Sequence, residues 1–176
     1  MMLQAKKWKK SNLRIAGIIR ESIVDGPGIR FTVFGQGCPH NCPGCHNSAT
    51  HDFKGGYDCS IEKILNEIDK NPLLSGVTFS GGEPMCQPEE FLILAREIKK
   101  RNLDIVIFSG YTFEELKIMA QDNSSIHELL LLTDYLIDGK FMLTEKDLAL
   151  NFRGSRNQRF IDMNLTRKSG HIVLAE

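Results

Sequence analysis

No charge of either sign predominates in this chain. Lysines and arginines number 22 and aspartates and glutamates 22, so no net field draws it to nucleic acid or to a membrane. Long apolar runs are missing too. The stretch at residues 15–19 is short, is bracketed by Arg14 and Arg20, and is followed by no small-residue cleavage site. A cytoplasmic protein is therefore expected, in a compartment where thiols stay reduced. Internal repeats and linkers are absent, and 41% hydrophobic against 25% charged residues is an ordinary globular balance. One domain is expected over residues 14–176, preceded by a solvated tail over 1–13 that carries the basic run Lys6-Lys7-Trp8-Lys9-Lys10. At 176 residues the chain also falls short of the roughly 250 of a closed eightfold barrel.

A second cysteine pair is likewise missing. Three of the five cysteines, Cys38, Cys42 and Cys45, sit in "GQGCPHNCPGCHN", a C-x3-C-x2-C spacing, and no matching pair follows. In a reducing compartment such a cluster suggests a metal centre more than a disulfide. Three thiolates suit a cubane iron–sulfur cluster, one per iron, with the fourth iron open to a ligand that is not protein. They also suit structural zinc, with His40, His46 or His51 completing three cysteines and one histidine. The residues alone leave both readings open, together with a third in which nothing is bound. Cys59 and Cys86 lie apart and read as packing or incidental thiols.

What is present is a strand–helix alternation. Residues 14–37 read as strand, turn, strand, with type II turn chemistry at Pro27-Gly28. Ser60 caps a helix whose apolar face is Ile61, Ile64, Leu65 and Ile68. "GVTFS" at 76–80 and "LDIVIF" at 103–108 read as buried strands. Between them a helix starts at Pro88 and carries Phe91, Leu92, Ala95 and Ile98. Thr112 and Glu115 have capping-box spacing, a short helix is expected over 126–132, and "YLID" at 135–138 is a fourth core strand. Weaker signals suggest strands near 160–163 and 171–174. The alternation predicts an α/β fold, an open partial (β/α) barrel with mainly parallel strands. On such a sheet the cysteine loop, Gly81-Gly82-Glu83-Pro84, Ser109-Gly110-Tyr111 and Asp138-Gly139-Lys140 all fall at the carboxyl ends of strands, the edge where these sheets build sites.

The cysteine loop followed by "SGGEP" resembles the radical S-adenosylmethionine superfamily. The further blocks "VDGPGIRFTVFGQG", "SGYTFEEL", "LIDGKF" and "FRGSRNQR" resemble the activating proteins of anaerobic ribonucleoside-triphosphate reductases, a family of glycyl-radical-enzyme activases. The blocks run from about residue 14 to 163. The resemblance implies a [4Fe-4S] cluster on Cys38, Cys42 and Cys45, with S-adenosyl-L-methionine chelating the open iron through its amino and carboxylate groups. It implies that Gly44, Cys45, His46 and Gly82 border that cofactor. No side chain need serve as a catalytic acid or base, because cluster and cofactor carry the chemistry. The implied partners are the large subunit of the reductase and a flavodoxin- or ferredoxin-type electron donor. Many superfamily members carry an aromatic residue just before the last cysteine, where this chain has Gly44. A pyruvate formate-lyase activase is the nearest rival, a small-molecule radical enzyme another, and a zinc-stabilised binding module the rival outside enzymes. Glu83, Tyr111, Arg30 and the segment 153–159 are left without a settled role. For Arg30 and that segment, contact with the partner protein competes with simple solvation.

Overall fold

The computed structural model describes residues 10–175. Most of the basic run at 6–10 lies outside the described residues. Of the residues expected in the tail, Asn12 and Leu13 belong to strand β1, Asn12–Ser22, and Leu13 is fully buried.

The chain forms a mixed α/β fold on one seven-stranded sheet of order β3-β1-β2-β4-β5-β6-β7. Its centre is four parallel strands: β2 (Arg30–Gly35), β4 (Gly76–Gly81), β5 (Asp104–Phe108) and β6 (Tyr135–Asp138). These are the four core strands read from the sequence. β1 and β3 (Tyr57–Ser60) extend one side antiparallel, and β7 (Arg159–Asp162) closes the other. β2 and β4 are buried along nearly their whole length, as central parallel strands covered on both faces must be.

Alternation sorts the strand residues onto two faces. One holds Phe31, Val33, Val77, Phe79, Ile105, Ile107, Leu136 and Ile161, all within the main core cluster. The helices α1 (Ile61–Ile68), α2 (Pro88–Lys99) and α4 (Ser124–Leu132) lend their buried residues to that cluster, and α3 (Phe113–Asp122) lends Leu116. Their starts follow the sequence. The Ser60 side chain accepts from Lys63 N, Pro88 opens α2, and Thr112 and Glu115 form a reciprocal capping box. The turn before β2 has Gly28 at φ +75°, the value a type II turn requires after Pro27.

Besides the edge strand β3, where no strand is expected, two elements near the end of the chain depart from expectation. Residues 171–174 make only an isolated bridge between Leu174 and Ile161, whereas Met163–Ser169 forms a further helix, α5, capped by Asp162 and ended by Gly170 at φ +75°. Arg30 is neither solvated nor open to a partner. It is 0% exposed on the second face of the sheet. Its Nε donates to Thr78 Oγ1 at 2.7 Å, Nη1 to Pro27 O at 3.0 Å and Nη2 to Val77 O at 3.0 Å. Nη2 also lies 2.6 Å from Asp104 Oδ1, a charge contact more than an aligned hydrogen bond. A buried guanidinium is tolerable only when so paired.

Candidate metal centre

The second face of the sheet carries the site. Phe34 pairs with Ser80 across β2 and β4, and Phe108 with Ile137 across β5 and β6. These four residues floor a cleft of about 680 Å³ at the carboxyl edge of the parallel strands. Ile23, Val24 and Asp25 from the β1–β2 connection wall one part of it. Residues 148 and 150–154 wall another, and Cys38, Cys42 and Cys45 line it from the loop after β2.

That loop is tied at its base. Gly37 N donates to Thr50 O at 2.8 Å and Cys38 N to His51 O at 3.1 Å. Gln36 Nε2 spans the loop to Asp52 O at 2.7 Å and Ala49 O at 3.3 Å. Within it Cys45 N donates to Cys42 O at 3.1 Å, and Asn47 N points at Cys45 Sγ at 3.4 Å. All three thiols are half-buried. The Cys38 thiol is raised above its ordinary range chiefly by burial, against a backbone hydrogen bond at His40 that lowers it, with the charges of Glu83, Cys42 and Cys45 adding to the rise. The three sulfurs therefore share one electrostatic neighbourhood, and a cation there would relieve what burial opposes.

Among the described residues no three of His, Cys, Asp and Glu are grouped tightly enough to hold a single metal ion. A zinc shell of three cysteines and one histidine requires such a group. A cubane cluster does not, because it takes one thiolate on each of three irons and so spaces the sulfurs apart. Three half-buried thiols facing one cleft fit that demand.

The double glycine abuts the base of the same loop. Gly82 N donates to Gly35 O and Glu83 N to Gly37 O, both at 2.8 Å. A Cβ at Gly82 would stand 2.3 Å from Gly37 O, so residue 82 must be glycine for the two backbones to meet. Gly82, Cys45 and an exposed His46 line the cleft; Gly44 is not among its lining residues and instead faces Leu143.

Glu83 is 1% exposed and its carboxylate is spent inside the protein. It accepts from Met85 N at 3.0 Å, from Ser109 Oγ at 3.0 and 3.1 Å, from Gly110 N at 2.8 Å, and pairs with His40 Nε2 at 2.8 Å. One side chain thus ties three strand ends together: the cysteine loop after β2, the turn after β4 and the turn after β5. Tyr111 stacks edge-on to His40 at 4.5 Å and packs on the core, which settles it as a packing residue. Gly110 is tight against the same histidine, where a Cβ would lie 2.3 Å from the ring.

The segment 153–159 divides by residue. Arg159 bridges Asp138 and Glu114, which holds its guanidinium firmly protonated. Arg156 faces Asp147 at 3.8 Å, and Arg153 lines the cleft. Gln158 fastens the segment across the site: its Nε2 donates to Gly139 O at 2.9 Å and its Oε1 accepts from Gly154 N at 2.9 Å. Asp25, Phe152 and Arg153 were not separable as cleft residues from the sequence. "FRGSRNQR" marked the segment but not which arginine faces inward.

The profile of a family described as a 4Fe-4S single cluster domain matches residues 24–161, which takes in the whole cleft floor and the cysteine loop. Proteins named anaerobic ribonucleoside-triphosphate reductase-activating protein are similar over most of their length. The one from Salmonella typhi is 36% identical over 144 residues, covering 77% of this chain and 90% of that protein. Those from Vibrio cholerae (36% identical) and Escherichia coli K12 (34%) cover the same 77% of this chain and 89% and 90% of their own. Among solved structures, QueE from Escherichia coli superposes with a TM-score of 0.45 and 19% identity over 57% of this chain and 54% of that one, too partial to carry an inference. The chain belongs to the family of anaerobic ribonucleoside-triphosphate reductase-activating proteins.

Proposed function

We propose that this protein is a radical S-adenosylmethionine enzyme that activates an anaerobic ribonucleoside-triphosphate reductase, with Cys38, Cys42 and Cys45 holding a [4Fe-4S] cluster. In this reading the sheet is an open, partial barrel over residues 14–176. The observation that carries it is the convergence of three half-buried thiols and the Gly81-Gly82 turn on one cleft at the carboxyl ends of parallel strands. Cys38, Cys42 and Cys45 would hold the cluster, which would supply the single electron for reductive cleavage of S-adenosylmethionine to methionine and a 5′-deoxyadenosyl group able to take hydrogen from a glycine of the reductase large subunit.

The residues of this chain orient and shield. The tied base of the cysteine loop fixes the spacing of the thiols, and Glu83 holds that loop to the β4 and β5 turns. Cys45, His46 and Gly82 border the cofactor, while Gly44 shapes the loop beneath Leu143. Phe34, Phe108, Ile137 and Phe152 give the cleft apolar walls, which limit the quenching of a reactive intermediate by water. A flavodoxin- or ferredoxin-type protein is the electron donor in this reading.

The test is an anaerobic incubation of the reduced, iron-loaded protein with S-adenosylmethionine and the reductase large subunit. The expected products are 5′-deoxyadenosine and a glycyl radical doublet in electron paramagnetic resonance, with deuterium from labelled partner glycine appearing in the deoxyadenosine. Deoxyadenosine formed without a partner radical would overturn the activase assignment. Activation of pyruvate formate-lyase in place of the reductase would reassign the partner.

A further inference from the structure

Of the residues lining the cleft, one is a lysine or arginine, Arg153, and one is an aspartate or glutamate, Asp25. They differ in how far their polar atoms are used. Asp25 is engaged: its Oδ2 accepts from Ser22 Oγ at 2.6 Å and Thr32 Oγ1 at 3.1 Å. Arg153 is not. Its Nε is buried with no hydrogen-bond partner among the described residues, and Nη1 has a single long contact, 3.4 Å, to Gln158 O. Among the described residues it forms no ion pair, although Arg156 and Arg159 on the same segment each face acids. A guanidinium offers five donors in a planar fork, and burying one of them unpaired is costly.

The backbone around it is held, not loose. Phe152 sits at φ +60°, a region a bulky residue enters only when its surroundings impose it. Its ring is fixed edge-on against Phe160 at 5.4 Å. Just after it, Gly154 N and Ser155 N both donate to Gln158 Oε1, at 2.9 and 3.2 Å. Arg153 thus stands between two anchored points, its Nε unpaired and its Nη1 held only by the long contact to Gln158 O, on the wall of the cleft that also receives the three thiols.

The geometry points to Arg153 as the carboxylate-binding group of this cleft, taking the methionine carboxylate of S-adenosylmethionine. The inference rests on the radical S-adenosylmethionine reading above and adds to it a residue that the cysteine and double-glycine motifs do not supply. A planar fork matches a carboxylate in two parallel hydrogen bonds. The ligand class follows from the charges of the cleft. One guanidinium and one carboxylate suit a ligand bearing both signs, as a sulfonium amino acid does, better than a phosphate ester, which would call for several cations. Charge-assisted hydrogen bonds of this kind correspond to about 10- to 100-fold in affinity.

The test pairs a protein change with a ligand change. Iron-loaded wild type, Arg153→Gln and Arg153→Lys are titrated under anaerobic conditions with S-adenosylmethionine by calorimetry, and with decarboxylated S-adenosylmethionine by competition. Iron content and circular dichroism report whether each variant is folded and loaded. The expected result is that Arg153→Gln weakens S-adenosylmethionine about 10- to 100-fold and leaves the decarboxylated analogue within about 3-fold of wild type. Arg153→Lys should recover part of the loss. If Arg153→Gln keeps the full wild-type preference for the carboxylated ligand, or weakens both ligands equally, Arg153 does not bind the carboxylate and the subsite is wrong while the cofactor reading stands. If loaded wild type binds neither ligand, the cofactor reading itself falls, and the subsite falls with it.

Discussion

The two faces of the central sheet are built from the same four parallel strands, yet they do opposite things. On the helix-covered face every inward residue of β2, β4 and β5 is aliphatic or aromatic: Phe31, Val33, Val77, Phe79, Ile105 and Ile107. On the other face the alternate residues include Arg30, Thr32, Thr78 and Ser80, all buried and polar, with Phe34 and Phe108 toward the carboxyl edge. The first face gains by excluding water and tolerates no unpaired polar group. The second keeps its polar groups by pairing them with one another: Arg30 Nε with Thr78 Oγ1, Thr78 Oγ1 with Asp25 O, and Thr32 Oγ1 with Asp25 Oδ2. The larger apolar cluster thus lies on one face, while the other holds a smaller one, Val106, Ile137 and Phe160, beside its paired polar groups and leaves a cleft at its carboxyl end. Substitutions that separate iron binding from folding stability show how far this division holds.

The largest separation is expected at the cysteines. Cys38→Ala, Cys42→Ala or Cys45→Ala should each prevent a stable four-iron cluster and abolish S-adenosylmethionine cleavage. The urea midpoint of the metal-free protein should stay close to wild type, because these half-buried thiols support no core. Iron assay and denaturation of the same samples make the comparison. Cys59→Ala and Cys86→Ala serve as the contrast and should keep iron. A need for either would add a fourth protein thiol and break the open-iron reading.

The reverse experiment is Phe79→Ala. Phe79 is fully buried on the helix-covered face and stacks on Phe91 at 4.7 Å. Truncation of a buried phenylalanine costs about 3–5 kcal/mol, a large share of a domain's stability. The folded fraction should nevertheless reconstitute iron to the wild-type ratio. If iron falls in proportion to stability, the two faces are one cooperative unit for function as well as for folding.

How much of this division was legible in the sequence follows from which signals are local. The four parallel strands and α1–α3 were readable because apolar periodicity, caps and turn glycines are written within a dozen residues. β3, "YDCS", was missed because it is a short edge strand with one buried residue, Cys59, and no alternation to detect. α5, "MNLTRKS", was missed because it buries only Met163 and Thr166, although Asp162 before it and Gly170 after it were available as caps. At the site, the thiols and the strand-end turns could be read because chain order alone puts them on one edge. Arg153 could not, since its place on the cleft wall depends on how Gln158 fastens a distant segment to Gly139. Arg30 was misread as a surface residue, yet its flanks, "IRFTV", are those of a strand buried on both faces.

Glu83 tests the seam between the two regions, because its carboxylate is buried like a core residue but serves the loop. Glu83→Gln keeps the shape, loses the charge opposite His40 and turns one acceptor into a donor facing Ser109 Oγ or Gly110 N. A loss of about 1–3 kcal/mol is expected from the mismatched buried groups. Iron stoichiometry should fall along with it, because the same contact locates the cysteine loop. A variant that loses stability and keeps both iron and the unaltered spectrum of the reduced cluster would make Glu83 a core residue only.

The smallest effect is expected far from both faces, at Glu67 on α1, and its direction follows from the charges around it. Hydrogen bonds from Lys70 and Arg20 pull its carboxyl down from 4.5 to about 2. A carboxyl whose folded value lies below its unfolded value contributes stability above about pH 4.5 and loses it as pH falls toward 2. Wild type should therefore exceed Glu67→Gln slightly in urea midpoint at pH 6–7, and the gap should close as pH drops through that window. Both partners of the ion pairs reach solvent, so added salt should shrink the gap at neutral pH. Iron content should be the same in both proteins throughout the range where the cluster survives. A pH-independent gap would assign the effect to helix propensity in α1, and a change in iron would mean that the β1–α1 side of the sheet is coupled to the cleft after all.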